Sequence, residues 1–284
     1  MRRLTRAAFA AASSAAVLVT VAACAPSNSP SASATNTSAN ACDSITTVTD
    51  GTLTVATSNP AYPPYVLKND PTNGKGFESA VAYAVGEKMG FTADHVKWTF
   101  APFNKLFAPG AKDFDFALNQ ISILPGREQA VTFSDPYYTA PNGVLVLKDS
   151  SFASATSLAD LKDAKIGVQV NTTGQLDVET LIKPTQQVAV FPNSTNATQA
   201  LKNGQIDAFV TDVPTTIYLR DFVVPNSVVA GKFPGGTEWG LVLEKDNPLV
   251  SCVNQALTQL TSDGSLDQIT TKWMGPYTEA PTLS

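Results

Sequence analysis

Polar side chains follow three apolar runs of this sequence, at the points where a strand would end. Asn119-Gln120, Ser122 and Arg127 follow FDFAL, Thr172-Thr173-Gly174 follow KIGVQV, and Thr211-Asp212 follow DAFVT. Taken alone, each group is equally compatible with a helix cap or a surface turn. Together, one arginine, one aspartate and several hydroxyls at matching places indicate a binding site. A guanidinium binds a carboxylate through two parallel hydrogen bonds, so we expect Arg127 to bind a carboxylate.

Sequence motifs for catalysis or metal binding are absent. The one histidine, His95, lies in the strand-like run HVKWTF, where a structural role is the simplest interpretation. The sequence has no Cys-x-x-Cys, no His-x-x-x-His, no Gly-x-Ser-x-Gly and no phosphate-binding glycine loop. We therefore expect no metal, no cofactor and no catalytic residue. Acidic residues are common, so a catalytic pair of carboxylates in a cleft remains an alternative.

Short β-rich runs alternate with helical patterns, and this alternation runs through the chain twice. In the first helical pattern Phe77, Val81, Val85 and Met89 fall near one face. The second run begins near Lys148. Such alternation predicts mostly parallel sheets covered by helices, arranged here as two α/β lobes. Ligands of such folds bind at the carboxyl ends of the strands, which is where the polar groups lie.

The N-terminus has the pattern of an export signal. Arg2, Arg3 and Arg6 precede an apolar run that ends in Val-Ala-Ala before Cys24. The alternative is a membrane anchor, but the run is shorter than the roughly 20 apolar residues that a span needs. Because VAAC resembles a bacterial lipobox, we expect a signal peptide over 1–23 and acylation of Cys24. Residues 24–41 are small, polar and uncharged, which predicts a disordered tether.

Charge and cysteine content narrow the class further. Removing residues 1–23 changes the balance from 19 basic and 24 acidic residues to 16 and 24, and the net charge from −5 to −8. No basic block remains, so we expect no nucleic-acid partner. Cys42 and Cys252 are an even pair in an exported chain, where a disulfide is permitted. The alternative is two free buried thiols.

Five segments of the sequence resemble one protein family. They are GTLTVATSNPAYPPYVLKNDPTNGKGFESAVAYAVGEKMG, FDFALNQISILPGREQAVTFSDPYY, KIGVQVNTTGQ, LKNGQIDAFVTD and DGSLDQITTKWMG. In this order, from about Leu53 to Gly275, they resemble the family 3 extracellular solute-binding proteins, the receptors of polar amino-acid ABC importers. The resemblance implies an α/β, type II periplasmic-binding-protein fold with two lobes joined by a double-strand hinge.

The resemblance also implies roles for single residues. Arg127 matches the arginine that pairs with the ligand α-carboxylate, and Ser122 and Thr173 match hydroxyls beside it. Asp212 matches the acid that accepts the α-ammonium. Tyr62 matches an aromatic residue that covers the ligand side chain.

Two further positions are suggested by the resemblance. Phe103 matches the apolar wall opposite Tyr62. Gln120 replaces a small residue whose carbonyl meets the ammonium, so we expect its side chain to enter the pocket. Ala80 replaces an acid that lies outside the pocket.

These observations predict a lipid-anchored binding protein on the outer face of the cell membrane. We expect lobe 1 to comprise 43–139 and 239–284 and lobe 2 to comprise 140–238. The partners would be an amino acid and an ABC permease, with a monomeric protein attached to the membrane through its lipid only. The sequence leaves the ligand's side chain open.

Two other classes of function remain to be weighed against this prediction. A prephenate or arogenate dehydratase on the same fold would need a general acid in the cleft, for which Glu238 is a loose candidate. A sensory module would normally continue into a membrane span and a signalling domain, and no such segments follow the second run.

Overall fold

The structure, a computed structural model, describes residues 40–43 and 45–284. The predicted signal peptide, the acylated Cys24 and most of the predicted tether lie outside the described residues.

The described chain consists of α/β structure. Its strands are, in order, β1 (Leu53–Thr57), β2 (Val96–Phe100), β3 (Phe116–Ala117), β4 (Val131–Ala140), β5 (Asn142–Leu147), β6 (Ile166–Gln169), β7 (Ala189–Phe191), β8 (Ala208–Asp212), β9 (Ser227–Lys232) and β10 (Thr237–Glu244). Its α-helices are α1 (Phe77–Lys88), α2 (Phe103–Leu106), α3 (Pro125–Glu128), α4 (Thr173–Asp177), α5 (Ser194–Lys202), α6 (Val213–Tyr218), α7 (Val250–Ser262) and α8 (Ser265–Met274).

The strands form two sheets with related topologies. In the first sheet the order is β2-β1-β3-β10-β4, and in the second it is β7-β6-β8-β5-β9. In each sheet three neighbouring strands are parallel: β2, β1 and β3 in the first and β7, β6 and β8 in the second. The next strand, β10 or β5, runs antiparallel to them, and the edge strand beside it, β4 or β9, runs antiparallel to that one. The prediction of mostly parallel sheets therefore holds for this part of each sheet. The polar residues of the site follow β3 in the first sheet and β6 and β8 in the second, all of which belong to the parallel part.

Both faces of each sheet are buried. In β1, Val55 belongs to one apolar cluster and its neighbour Ala56 to another, and in β5 Val144 and Leu145 divide in the same way. Successive side chains of a strand point to opposite faces. Because both faces are buried here, the sequences of these strands are continuously apolar. The predicted face of α1 packs on the first sheet, with Phe77 fully buried.

Two short connections join the lobes. Strand β4 leads into β5 through Pro141, and β9 leads into β10 through residues 233–236. The backbone N–H of Phe233 donates to the carbonyl of Asn142 at 2.8 Å, which ties the two connections together. A Cβ on Gly236 would lie 3.2 Å from the carbonyl carbon of Ala140, so a side chain there would press on the first connection. This paired crossing is the predicted double-strand hinge.

The last residues of the chain contact the second lobe, which corrects our expectation that all of 239–284 belongs to lobe 1. Leu283 is 1% exposed within the apolar core of lobe 2. The N–H of Lys232 donates to Pro281 at 2.7 Å, and the N–H of Leu283 donates to Lys232 at 2.9 Å. Strand β9 is an edge strand, and the C-terminal segment satisfies backbone groups that the edge leaves unpaired.

A disulfide joins Cys42 to Cys252, whose Cα atoms are 4.9 Å apart. It attaches the start of the described chain to α7, and the predicted pairing is therefore present. No helix in the described part of the chain is long and apolar enough to cross a membrane.

Candidate ligand-binding site

A cavity of about 440 Å³ lies between the lobes, and residues of both line it. Its size falls within the roughly 300–1,000 Å³ usual for small-molecule sites. All the residues that we expected at a ligand line this cavity, namely Tyr62, Phe103, Gln120, Ser122, Arg127, Thr173 and Asp212. The structure thus brings together side chains that lie up to 150 positions apart in sequence.

Arg127 is a buried cation in lobe 1. It lies on α3, a single helical turn that begins at Pro125. Its Nη1 donates to the carbonyl of Ser122 at 2.8 Å and its Nη2 to the carbonyl of Asn171 in lobe 2 at 2.7 Å. Its guanidinium carbon lies 4.3 Å from the ring centroid of Phe107. Within the described chain no acidic side chain forms an ion pair with it.

Burial lowers the pKa of Arg127 to about 10, so the side chain stays charged at neutral pH. A buried charge is costly to leave without an ionic partner, because it has lost its hydration. The two carbonyl contacts orient the guanidinium but do not neutralise it.

Asp212 supplies the opposite charge from lobe 2. It ends β8 and caps α6, where its side chain accepts hydrogen bonds from the Thr215 N–H at 2.8 Å and the Thr215 hydroxyl at 2.9 Å. The Tyr65 hydroxyl, from lobe 1, also donates to it. Burial raises the pKa of Asp212, while these hydrogen bonds act in the opposite direction. Among the described residues no basic side chain forms an ion pair with Asp212.

The predicted hydroxyls flank the cavity. Ser122 is 3% exposed, and its Oγ lies 3.1 Å from the Thr237 hydroxyl. Thr173 begins α4 immediately after its cap Thr172, and its Oγ accepts from the Nδ2 of Asn142 at 3.2 Å. Both can rotate to donate to an oxygen in the cavity.

We expected the side chain of Gln120 to enter the cavity, but its amide is bound to Glu78 instead. Its backbone N–H donates to Glu78 Oε1 at 2.6 Å, and its Nε2 donates to Glu78 Oε2 at 2.5 Å. The Tyr137 hydroxyl donates to the same carboxyl at 2.5 Å. Gln120 adopts a left-handed conformation, with φ of 50°, which Glu78 holds through these two bonds. Glu78 lies behind the cavity wall.

Glu78 is a buried acid beside the site that the sequence pattern did not indicate. It is 1% exposed, and burial raises its pKa to about 7, despite the three hydrogen bonds that it accepts. The available signal was an acidic residue directly after Phe77, at the start of a helix whose buried positions are mostly apolar.

Aromatic rings form part of the wall. Tyr62 stacks on Tyr218 of lobe 2, with centroids 6.3 Å apart and planes inclined by 10°. Phe103 packs edge-to-face on Phe107 at 5.1 Å and lies next to Arg127, rather than opposite Tyr62 as a separate wall. Phe100 also lines the cavity and is 47% exposed.

The residues considered for catalysis lie elsewhere. Thr237 and Trp239 of β10 line the cavity, but the intervening Glu238 is exposed and does not. Its neighbours point inward, so strand alternation turns Glu238 away. His95 is exposed beside Asp94. Within the residues that the structure describes, no cluster of three His, Cys, Asp or Glu side chains could hold a metal ion.

Curated relatives of this chain are amino-acid-binding proteins. The L-cystine-binding protein TcyJ of Escherichia coli K12 is 30% identical over 230 residues, which cover 79% of this chain and 83% of that protein. The arginine-binding periplasmic protein of Mannheimia haemolytica is 30% identical over 227 residues, which cover 76% and 89%.

Solved structures agree with the sequence relatives. An ancestral arginine-binding protein bound to glutamine superposes with a TM-score of 0.70 at 31% identity, covering 80% of this chain and 99% of that one. The ancestral amino-acid-binding protein AncCDT-1, a precursor of cyclohexadienyl dehydratase, gives 0.66 at 30% identity, covering 78% and 95%. These neighbours confirm the predicted type II periplasmic-binding-protein fold. The model of the bacterial extracellular solute-binding proteins, family 3, matches residues 53–276, and the chain therefore belongs to that family.

Proposed function

We propose that the cavity binds the head group of an amino acid, with Arg127 pairing the α-carboxylate and Asp212 the α-ammonium. The observation that carries this proposal is the presence of two opposite charges at one cavity, one from each lobe, neither in an ion pair within the described chain. A zwitterion supplies both missing partners. It would replace the lost hydration of each charge with a charge-assisted hydrogen bond.

The other predicted residues have supporting roles in this proposal. Ser122 and Thr173 donate hydroxyl hydrogen bonds to the carboxylate beside Arg127. Tyr62 covers the ligand, and Phe103 holds the guanidinium plane on its apolar side. Gln120 acts through its backbone carbonyl near the ammonium, because its side chain is engaged by Glu78.

The division of the two charges between the lobes supports a role in transport. Because Arg127 and Asp212 belong to different lobes, a bound zwitterion links the lobes and favours hinge closure. We propose that the closed form delivers the amino acid to an ABC permease. Acylation of Cys24 would keep the monomeric protein on the outer face of the cell membrane.

A thermal-shift screen against the amino acids tests the binding proposal. A ligand that binds only the folded state raises the unfolding temperature by an amount set by its excess over Kd. We expect at least one L-amino acid to raise the unfolding temperature in a concentration-dependent way, and the matching amine without a carboxylate to have no effect. If no amino acid stabilises the protein, the proposal is wrong.

Dehydratase activity is the second candidate, and the geometry does not favour it. The acid that we had considered, Glu238, does not line the cavity. Incubation of the protein with prephenate or arogenate should yield no product, and measurable turnover would overturn this part of the proposal.

A further inference from the structure

The charges around the cavity are few for a site of its size. Arg127 and Asp212 are the charged residues among those that line it, and Glu78 is separated from it by Gln120. The rest of the wall is aromatic, apolar or neutral polar. Its neutral polar members away from the proposed clamp include Ser58, Asn59, Gln169, Asn193, Ser194 and Thr195.

The small number of charged residues at the cavity limits the ligand's side chain. If the α-carboxylate and α-ammonium take Arg127 and Asp212, a further charge on the ligand would find no partner in the wall. Such a ligand therefore gains no ion pair for its additional charge, which places it at a disadvantage against a neutral competitor. A missing countercharge is a common way to reject a competing ligand.

Gln169 shows which neutral group the wall can recognise. It ends β6, and its Oε1 accepts a hydrogen bond from the Ser194 hydroxyl at 2.7 Å. This contact turns the opposite side of the amide, its NH₂, away from Ser194. Among the described residues that Nε2 has no hydrogen-bond partner, although Gln169 is half-buried and lines the cavity.

A second amide, that of Asn193, lies next to Ser194 and is exposed. Its Oδ1 caps α5 by accepting from the Asn196 N–H at 2.9 Å, and its Nδ2 makes no hydrogen bond within the described chain. Gln169 is the less exposed of the two amides, so its NH₂ is the donor in this part of the wall that a ligand oxygen can reach within the cavity. An amide NH₂ donates to an uncharged oxygen without leaving a net charge in the cavity.

We propose that the ligand is an α-amino acid whose side chain is uncharged and carries a hydrogen-bond-accepting oxygen, such as a carboxamide, and that Gln169 selects it. This inference rests on the proposed function, since it assigns the clamp to the head group. It makes Gln169 a specificity-determining residue that contacts the ligand's side chain.

The first test is isothermal titration of the mature protein, solubilised in detergent, with seven amino acids. L-glutamine, L-asparagine and L-serine represent the proposed class, and L-glutamate, L-aspartate, L-arginine and L-lysine carry a further charge. We expect a member of the first group to bind more than about tenfold tighter than every member of the second. Tightest binding by a charged amino acid would overturn the inference and leave the clamp intact, whereas no binding by any amino acid would overturn both.

The second test changes the charge of Gln169. In Gln169→Glu, Ser194 can still donate to the side chain, and the new carboxylate offers a partner to a cationic side chain. We expect L-lysine or L-arginine to gain about tenfold in affinity, while the best neutral ligand loses affinity by a similar factor. Gln169→Met, which lacks the donor, should weaken the neutral ligand without any gain for the cations.

Gln199→Glu is the matched control. Gln199 lies on α5 in the same lobe, is exposed and bonds Asn203 outside the cavity. The variant makes the same change of charge and should leave all seven affinities within about twofold. If Gln169→Glu and Gln199→Glu give the same profile, Gln169 does not select the side chain and the inference fails.

Discussion

At the scale of single residues, the site depends on charges that the fold has buried. Arg127 is held by two backbone carbonyls, one from each lobe, and Asp212 by hydroxyl and N–H donors. These contacts set the direction of each side chain and leave the charge available. Orientation is therefore built into the protein, and neutralisation is left to the ligand.

The proposed carboxylate contact predicts a large effect at Arg127. Arg127→Ala should weaken binding of the best amino acid by on the order of 2–5 kcal/mol, because a desolvated charge pair is lost. Arg127→Lys should also bind poorly, since an ammonium cannot reproduce the planar fork. Titration calorimetry measures both. Arg220→Ala, which removes a partly exposed arginine paired with Asp221 outside the cavity, is the control and should bind normally. Near wild-type affinity in both Arg127 variants would refute the assignment.

Glu78 should make the stability of the protein depend on pH. Its folded pKa, about 7, lies above the ordinary value of 4.5, so the folded state holds the proton more tightly. Its contribution to stability is then complete below about pH 4.5 and is lost as the pH rises through 7, by on the order of 3 kcal/mol. In Glu78→Gln this loss should be absent, because the amide stays neutral and Gln120 can reverse its own amide to preserve the contact.

Urea unfolding at pH 5 and pH 8 measures this difference. The free energy of unfolding should fall more between the two values in the wild-type protein than in Glu78→Gln. Glu87→Gln changes an exposed residue on the same helix and should follow the wild type. Equal falls in all three proteins would show that Glu78 is ionised in the folded state at both values.

At the scale of elements, β4 and β10 connect the site to the hinge. They pair over most of their length in the first sheet, with Pro136 opposite Gly240 at an irregularity of the register. Proline lacks an N–H and is tolerated in edge strands and at bulges, and β4 is an edge strand. Tyr137 of β4 packs against Phe77 and Tyr138 against Trp239, and neither tyrosine is among the residues that line the cavity.

The disulfide joins the start of the described chain, at Cys42, to helix α7, at Cys252. It closes a loop across 210 positions, for which the chain-entropy model gives about 5 kcal/mol as an upper value. We expect the Cys42→Ser, Cys252→Ser double variant to lose up to this amount of unfolding free energy in urea. Neither cysteine lines the cavity, so ligand affinity should not change. A variant with unchanged stability would mean that the bond adds nothing to contacts already made by α7.

At the scale of the whole molecule, three segments connect the lobes. Two form the hinge, and the third runs from α8 in lobe 1 to the edge of β9 in lobe 2. The third segment ends in a buried side chain, Leu283, which packs over Gly231. It is therefore part of the core of lobe 2 as well as a link between the lobes.

Leu283→Ala should destabilise the protein by about 2–5 kcal/mol, the usual range for removing a buried leucine side chain. Thermal unfolding followed by circular dichroism measures the effect. Thr282→Ala removes an exposed neighbour in the same segment and should change the unfolding temperature little. If the two variants behave alike, the C-terminal contact contributes no stability to lobe 2.

The tether and its lipid should serve attachment alone. A chain shortened to begin at Cys42 should bind its amino acid with the affinity of the mature protein, since the predicted tether is polar, uncharged and outside the α/β pattern. Cys24→Ser in the full-length chain should release the protein from the membrane or leave its signal uncleaved, which fractionation and mass spectrometry detect. Lost binding in the shortened chain would place the tether in the site, and a processed, membrane-bound serine variant would refute acylation.

Much of the fold could be predicted because it depends on local pattern. The periodicity of Phe77, Val81, Val85 and Met89 located α1. The ends of predicted strands marked Arg127, Thr173 and Asp212 as residues of one site. The sequence analysis did not identify β4 and β9. Pro136 interrupts the strand pattern of β4, and the six residues of β9 include Gly231, which is unfavourable in a strand.

Properties that depend on distant contacts emerged with the tertiary structure. The sequence showed an acid at position 78 and an amide at position 169, but not that one is buried behind Gln120 or that the other keeps a free NH₂ at the cavity. It also contained Leu283 without its partner lobe. Hydrogen-bond partners come from segments 25 residues away for Gln169, 42 for Glu78 and more than 100 for the C-terminal Ser284, whose N–H donates to Thr156, and a local pattern does not show which segments will meet.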